Sequence, residues 1–176
     1  MTGVACSSDR AAADTKVAQL LRSSDRMAVY DAGVVAYRRK EYPAARRLWR
    51  HAAELGDHDA ASNLGFLLYY GRGGEADSIA AIAFWRRAMA QGDAEAHRHV
   101  AQAILDGEKR LGGLQDAYGH ALAAQRLASR SNELGGAEVV RDAEQLAGQL
   151  KAELSPEQLA VGERLGAEWS TRVEKH

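Results

Sequence analysis

The sequence predicts an all-α fold, an α-α superhelix (solenoid) of about four antiparallel helical pairs. The first observation is a repeat: the stretch from Ala45 to Gly71 matches the sequence 36 positions later, so that Trp49 falls on Trp85. A fixed period of about 20–50 residues is the signature of stacked repeats, each too small to bury its apolar face alone. The second observation is composition, because only two prolines interrupt a chain dominated by alanine, leucine, arginine and glutamate. Such a composition favours long helices.

The length, composition and net charge of the chain narrow the class of protein further. The chain has 176 residues, of which 46% are hydrophobic, so it can bury a sizeable core. Its formal net charge of −1 gives no overall attraction to nucleic acid or to an anionic membrane. No apolar run approaches the ~20 residues that a membrane-spanning helix needs. A single cysteine also excludes an internal disulfide.

The domain organisation follows from the repeat. We expect a disordered tail and then a single helical repeat domain over residues 11–176. Its segments are an N-terminal cap helix at 11–25, repeat 1 at 26–57, repeat 2 at 58–93, repeat 3 at 94–136 and a degenerate C-terminal pair at 137–176.

The tail, residues 1–10, is small and polar. Its segment from Gly3 to Ser8 resembles the end of a bacterial lipoprotein signal, in which Cys6 would be the lipidated cysteine. The apolar stretch of such a signal is missing, so we expect a lipid anchor at Cys6 only if the true start lies upstream. A chance cysteine is the simpler interpretation. The chain as written is then expected in the cytoplasm, with the periplasm or cell envelope as the alternative.

The first two helical pairs have clear start and stop signals. Asp25 is a candidate N-cap for a helix over 26–39, and Pro43 suits the first turn of a helix that ends before Gly56. In the second pair, helices over 59–70 and 77–91 are expected on either side of a glycine-rich loop.

The last two pairs are less regular. The third should place helices at 94–106 and 115–134 across a longer loop. The fourth should place them at 137–153 and 156–173. Ser155 followed by Pro156 and Gln158 predicts a capping box with proline at the first helical position, which is a firm helix start.

The first repeat contains a recognisable set of small and aromatic residues. That set is Gly33, Tyr42, Ala45, Trp49, Ala52 and Asp57. Its spacing resembles a tetratricopeptide-type unit. The corresponding step from Gly65 to Ala81 is 16 positions, against 12 from Gly33 to Ala45, and the added length contains a Tyr-Gly-Arg-Gly loop.

This longer second unit resembles the SEL-one-like repeat (SLR), the longer-looped relative of the tetratricopeptide repeat. The matching residues are Leu64-Gly65-x4-Tyr70-Gly71-x-Gly73 and Ala81-x3-Trp85-Arg86-Arg87-Ala88-x3-Gly92-Asp93. The resemblance covers about Arg26 to Gly107. It implies units stacked in a right-handed superhelix that holds other proteins together, and it implies no catalytic role for the repeats.

The small and large residues of the repeat also have a direct physical interpretation. Gly33 and Gly65 should face alanines of the second helix in their own pair, because helices approach closely only where side chains are small. Trp49 and Trp85 should then fill the core, and truncation of a buried one should cost ~3–5 kcal/mol. A ligand-binding role for these tryptophans is the less favoured alternative.

The six histidines offer no metal-ligand spacing. His97 and His99 are two residues apart on a helix and point about 200° apart, so they cannot share a metal. The others are His51, His58, His120 and His176, and we interpret all six as solvated or capping residues. No nucleophile elbow, phosphate loop or paired-cysteine motif is present either. We therefore expect no enzyme, no cofactor and no metal. An enzyme with an unrecognised site would need buried carboxylates or histidines that converge in one pocket.

A partner-binding surface is implied by the resemblance. In tetratricopeptide-type arrays, the arc of the first helix that lies about 40–140° round from Gly33 and Gly65 faces the concave groove. The predicted groove residues are Tyr30, Val34, Tyr37, Arg38, Asp59, Ser62, Phe66, Tyr69, Tyr70, Arg98 and Gln102. Aromatic residues with arginine suit an extended or helical segment of another protein. The alternative is that the rings pack between neighbouring pairs.

Two function classes follow. The first is a non-catalytic protein–protein interaction module, an adaptor or scaffold that binds a peptide or partner protein in the concave groove. The alternative is a nucleic-acid-binding helical protein that uses a basic stretch. That stretch contains Arg38, Arg39, Lys40, Arg46, Arg47 and Arg50. Neither aromatic stacking nor an overall basic charge supports nucleic acid, so we favour a protein partner.

Overall fold

The computed structural model describes residues 12, 14–131 and 136–172, and every regular element in them is helical. The helices are α1 (14–20), α2 (Arg26–Arg38), α3 (Tyr42–Glu54), α4 (His58–Tyr69), α5 (Ser78–Ala90), α6 (Ala94–Leu105), α7 (Leu114–Ala128), α8 (Gly136–Lys151) and α9 (Pro156–Trp169), with a 3-10 turn at Lys109–Leu111. No strand occurs in these residues, which confirms the predicted all-α fold class. The predicted tail with Cys6 lies outside the described residues. None of the described helices is both long and apolar enough to cross a bilayer.

The chain divides into two compact units, residues 1–78 and 79–176. We call them unit 1 and unit 2. Unit 1 contains α1 to α4, and unit 2 contains almost all of α5 together with α6 to α9.

In unit 1, α3 packs between α2 and α4. The contact between α2 and α3 depends on Gly33, where an added Cβ would lie 2.5 Å from Cδ1 of Trp49. The indole Nε1 of Trp49 donates a hydrogen bond to the carbonyl oxygen of Tyr30 over 3.3 Å. The nearest side chain to Gly33 is thus the tryptophan of α3 rather than one of its alanines. Trp49 is buried, as predicted.

The connection after α4, residues 70–77, is longer than the connection 39–41 after α2, as the repeat comparison predicts. It folds back onto the start of α3. Gly73 has a φ of +80°, and a Cβ there would lie 2.5 Å from the carbonyl carbon of Tyr42. Arg46 donates from Nη1 to the carbonyl oxygen of Glu75 over 2.9 Å. Glycine is therefore required at position 73 by both conformation and space.

Equivalent aspartates begin equivalent helices in the two units. Asp57 accepts a hydrogen bond from the backbone N–H of Ala60 over 2.8 Å at the start of α4. Asp93 accepts one from Ala96 over 2.6 Å at the start of α6. The 36-residue repeat therefore preserves an N-cap, which satisfies an otherwise unpaired helix donor.

In unit 2, α7 packs against α6, α8 and α9. Its contact with α9 is made by glycines. A Cβ at Gly162 would lie 2.8 Å from the carbonyl oxygen of Gln115, and one at Gly166 would lie 2.8 Å from that of Gly119. The backbones of α7 and α9 are therefore in close contact at these glycines.

The helix ends in unit 2 agree only in part with those predicted from the sequence. The predicted capping box at Ser155 is present at the start of α9. The predicted helix over 115–134 instead ends at Ala128. The hydroxyl of Ser129, the C-cap residue, donates to the carbonyl oxygen of Gln125 over 2.7 Å. This local bond and the turn at 129–130 follow the end of the helix. Residues 132–134 of the predicted helix lie outside the described residues.

Candidate functional site

The groove residues predicted in unit 1 differ in their exposure. Arg38 and Tyr70 are exposed, the latter at 42%. Half-buried positions are Tyr30, Val34, Tyr37, Asp59, Phe66 and Tyr69. Ser62 is only 1% exposed, so the expectation that its hydroxyl lines an open surface is wrong. The Ser62 side chain is instead buried on the packed side of α4.

Three aromatic residues of unit 1 form a cluster with Arg72. The rings of Tyr37 and Phe66 lie 6.5 Å apart, and those of Phe66 and Tyr70 lie 5.0 Å apart. The guanidinium carbon of Arg72 lies 4.7 Å from the Phe66 ring centre, and its Nη1 donates to the Tyr37 hydroxyl over 3.0 Å. These contacts anchor the 70–77 loop. Tyr37 and Phe66 therefore have a packing role, as the alternative interpretation predicted for these rings.

A concave surface within unit 2 lies between α6 and α8. We call it the α6–α8 groove, with a volume of about 360 Å³. It is lined by Arg98, Gln102, Asp142, Gln145, Leu146 and Gln149. Arg98 and Gln102 are the two groove residues that the sequence predicted in this unit, and the structure brings them together on one face of α6.

The α8 side of this groove was missed by sequence reasoning. Asp142, Gln145, Leu146 and Gln149 follow the i, i+3, i+4, i+7 spacing of a single helix face. That spacing is visible in the sequence. Because the repeat is hard to recognise after Gly107, the sequence gives no reason to expect this face of α8 beside α6. It predicts only that α8 belongs to a degenerate C-terminal pair.

The charged groups at the groove are already partly paired. Arg98 donates from Nε to Oε2 of Glu95 over 2.6 Å, and its Nη1 lies 3.9 Å from Oδ2 of Asp142. Gln102 donates from Nε2 to Oδ1 of Asp106 over 2.9 Å. The cation of the groove thus has two carboxylates as neighbours, and the amide nitrogen of Gln102 is engaged.

Three histidines of unit 2 are buried, which corrects the interpretation of His97, His99 and His120 as solvated or capping residues. Nδ1 of His97 lies 2.9 Å from Nδ1 of His120, so one ring donates and the other accepts. The His120 ring stacks on Trp169 with 4.1 Å between the ring centres. The packing of α6 against α7 brings His97 and His120 together. Their spacing in the sequence does not indicate this contact.

Burial controls the protonation of these rings. Loss of hydration lowers the pKa of His97 to about 4. Burial first, and the neighbouring His97 second, hold the pKa of His120 well below its usual value. Neither His97 nor His120 lines the α6–α8 groove. The histidine pair is therefore a feature of the core and not of this groove.

His99 belongs to a second buried contact. Its ring stacks on that of Trp85, with 5.8 Å between the centres. Burial and the nearby charge of Arg98 lower its pKa well below the usual value. Trp85 is fully buried, which confirms the prediction that it belongs to the core.

The basic stretch of unit 1 is only partly available to a ligand. Its exposed members are Arg38, Arg39, Lys40, Arg47 and Arg50. Arg46 is half-buried and bonded to the loop carbonyl of Glu75. Arg46 therefore has a structural partner, which the sequence did not suggest.

Comparison with known proteins identifies the fold. No family model matches the chain, and no curated protein matches it. A solved structure does match, that of c5321, a protective antigen present in uropathogenic Escherichia coli strains and displaying an SLR fold. The match has a TM-score of 0.69 at 23% sequence identity and covers 84% of this chain. The chain has an SLR fold. It spans 30% of the length of that protein.

The SLR fold accounts for the local features of the repeat. The long 70–77 connection, the N-cap aspartates and the buried tryptophans are the features on which the sequence resemblance was based. One wall of the α6–α8 groove comes from α8, which lies outside the stretch in which the repeat can be recognised.

Proposed function

We propose that this helical repeat protein is a non-catalytic interaction module, an adaptor or scaffold that binds a peptide segment of a partner protein in the α6–α8 groove. The observation that supports the proposal is the groove itself. Its volume of about 360 Å³ falls within the ~300–1,000 Å³ of ordinary ligand sites. One of its two walls, α6, is a helix to which the resemblance assigned the binding surface.

The chemistry of the lining suits a peptide backbone. Gln145 and Gln149 are exposed on α8, one helical turn apart. Each side-chain amide has both donors and an acceptor, so it can pair with the C=O and the N–H of an extended segment. Leu146 lies between them in the sequence and is the one apolar side chain of the described lining, where it is 6% exposed.

The same lining argues against catalysis in this groove. Its six described side chains include no hydroxyl, thiol or imidazole. A nucleophile next to a general base is the usual arrangement for covalent catalysis. Asp142 has a guanidinium and amides as neighbours in the lining, an arrangement suited to recognition.

A peptide selection would test the proposal. A library of random 12-residue peptides should be displayed against the folded chain, and the selected peptides measured by fluorescence polarisation. We expect the double change Gln145→Ala and Gln149→Ala to weaken binding by about tenfold or more, as expected for loss of one to two hydrogen bonds. Lys151→Ala is the matched control, because Lys151 is exposed on α8 but outside the groove.

Two results would contradict the proposal. One is a selection that yields no peptide with saturable binding to the folded chain. The other is a set of peptides whose affinity is the same for the double variant, the control and the unchanged protein. Circular dichroism of each variant would establish that its helices are intact.

A further inference from the structure

We infer that the segment bound in the α6–α8 groove presents a lysine or arginine side chain, with its cationic group at the carboxylate of Asp142 and its aliphatic stem over Leu146. This inference rests on the proposed function and adds the charge of the partner. It follows from the pairing of Arg98, from the free acceptors of the lining and from the balance of charge.

Arg98 is the only cation among the groove's lining side chains in the described chain. It is engaged within the protein by Glu95 at 2.6 Å and lies 3.9 Å from Asp142. An anionic ligand would have to replace the short charge-assisted bond to Glu95 and would then face two carboxylates. Like charges placed together at an interface in this way strongly disfavour binding. The groove therefore disfavours an acidic segment.

Hydrogen-bond acceptors remain accessible at the groove. The side chains of Glu95 and Asp142 are 39% and 48% exposed, so each carboxylate keeps contact with solvent. Because the amide nitrogen of Gln102 donates to Asp106, its amide oxygen can accept a bond from a ligand. A lysine ammonium has three donors and an arginine guanidinium five, which match a site rich in acceptors.

The charge at the groove is negative once the pairing of Arg98 is counted. The positive charge of Arg98 is neutralised by Glu95 at 2.6 Å, which leaves the single negative charge of Asp142 in the lining. The remaining acidic and basic side chains of α8 cancel, and they are Glu138, Arg141, Glu144 and Lys151. The local charge thus attracts a basic segment even though the whole chain is nearly neutral.

Leu146 completes the fit. It lies on the same face of α8 as Asp142, one turn along, and it is part of the lining. The methylene stem of a lysine or arginine packs readily on an apolar side chain while its charged end stays among polar groups. A side chain of this kind therefore satisfies both parts of the groove at once.

A matched set of peptides would test the inference. Fluorescent 12-residue peptides of alanine and serine should differ only at the central position, which holds lysine, arginine, glutamate, glutamine or norleucine. We expect the lysine and arginine peptides to bind about tenfold more tightly than the others, the effect of a charge-assisted hydrogen bond. Their affinity should also fall as salt is added.

Charge reversal gives the sharper comparison. Asp142→Lys should transfer the preference from the lysine peptide to the glutamate peptide. Glu144→Lys makes the same change of charge on α8 outside the groove, where Glu144 accepts a hydrogen bond from Gln125, and should leave the preference unaltered. Asp142→Asn is a milder second variant that should weaken the lysine peptide alone.

The outcomes separate this inference from the proposed function. Equal binding of all five peptides would overturn the basic preference and leave a peptide-binding groove. Absence of binding by any peptide, including those selected from the random library, would overturn both. If free lysine or spermidine binds as tightly as the lysine peptide, the groove is a small-cation site, and the inference of a basic protein segment is wrong.

Discussion

Nδ1 of His97 and Nδ1 of His120 lie 2.9 Å apart in the interior of unit 2, joined by a hydrogen bond between two imidazole rings. One ring must be protonated at Nδ1 and the other at Nε2, since a donor has to meet an acceptor. A proton added to the accepting nitrogen would remove the bond and leave a charge in a buried site. The packing of α6 on α7 therefore depends on neutral histidines.

We expect the stability of the chain to fall when the pH drops below the ordinary histidine pKa of about 6.5. The unfolded chain binds protons there, whereas the folded chain does not until its lowered pKa, about 4 for His97, is reached. The stabilising contribution of His97 is complete well above pH 6.5 and is lost towards pH 4, by at most about 1.4 kcal/mol per pH unit. The lowered pKa of His120 acts in the same direction.

Urea unfolding at pH 7.5 and pH 5.0 would measure this effect. His120→Gln keeps a side chain that can donate to His97 but removes one titrating group, so its loss of stability between the two pH values should be smaller. The same loss in both proteins would refute the assignment. Carboxylates that titrate in this range affect both proteins alike, so the difference isolates the histidine.

The contact between α7 and α9 predicts that Gly166→Ala is destabilising. The added methyl would lie 2.8 Å from both the carbonyl oxygen of Gly119 and Cβ of Leu122, so the helices must separate. Overpacking of this kind costs about 1–3 kcal/mol. Gly148→Ala is the control, because a Cβ on α8 at that position meets nothing within 4 Å. It should stabilise the helix by up to about 1 kcal/mol, and thermal unfolding that ranks the two variants in the opposite order would contradict the packing.

The contact between Gly33 and Trp49 predicts coupled mutational effects. Gly33→Ala should cost about 1–3 kcal/mol, because the indole occupies the space of the new methyl. Trp49→Ala should cost about 3–5 kcal/mol through the cavity it leaves. In the double variant the methyl no longer meets the indole, so its cost should be clearly less than the sum. Additive costs in urea unfolding would show that the two residues do not interact.

Arg72 should hold the 70–77 loop in place. Arg72→Lys keeps the charge but loses the planar group that lies over Phe66 and bonds to the Tyr37 hydroxyl. We expect faster limited proteolysis within the loop and a loss of about 1–2 kcal/mol of stability. Arg39→Lys, on the exposed end of α2, is the matched control. Identical cleavage of both variants would disprove the anchoring role.

The basic stretch should not support tight nucleic-acid binding. A gel-shift experiment with generic RNA and DNA at about 0.15 M salt should show no stable complex, because the chain as a whole has a charge of −1. Any weak complex at low salt should respond to Arg47→Gln with Arg50→Gln, while Arg46 is left unchanged because it bonds to Glu75. A complex that survives physiological salt and is abolished by these changes would favour the nucleic-acid alternative.

Local features of this protein could be predicted because the residues that specify them are close in the sequence. The N-cap roles of Asp25 and Ser155, which the sequence predicted, depend on the three residues that follow each of them. The burial of Trp49 and Trp85 follows from aromatic residues that recur at equivalent positions of a repeat. Arg98 and Gln102 were placed on one helix face by the ~100° rotation per residue.

What the sequence by itself determined is the all-helical repeat, its helix starts and the faces of individual helices, since these depend on periodicity and on neighbouring side chains. The tertiary structure alone decided which faces meet. His97 meets His120, and Arg98 meets Asp142, only because α6 packs beside α7 and α8. Such contacts join residues more than 20 positions apart, and many helix arrangements satisfy the same local pattern. The free energy of burial in one particular packing selects among them.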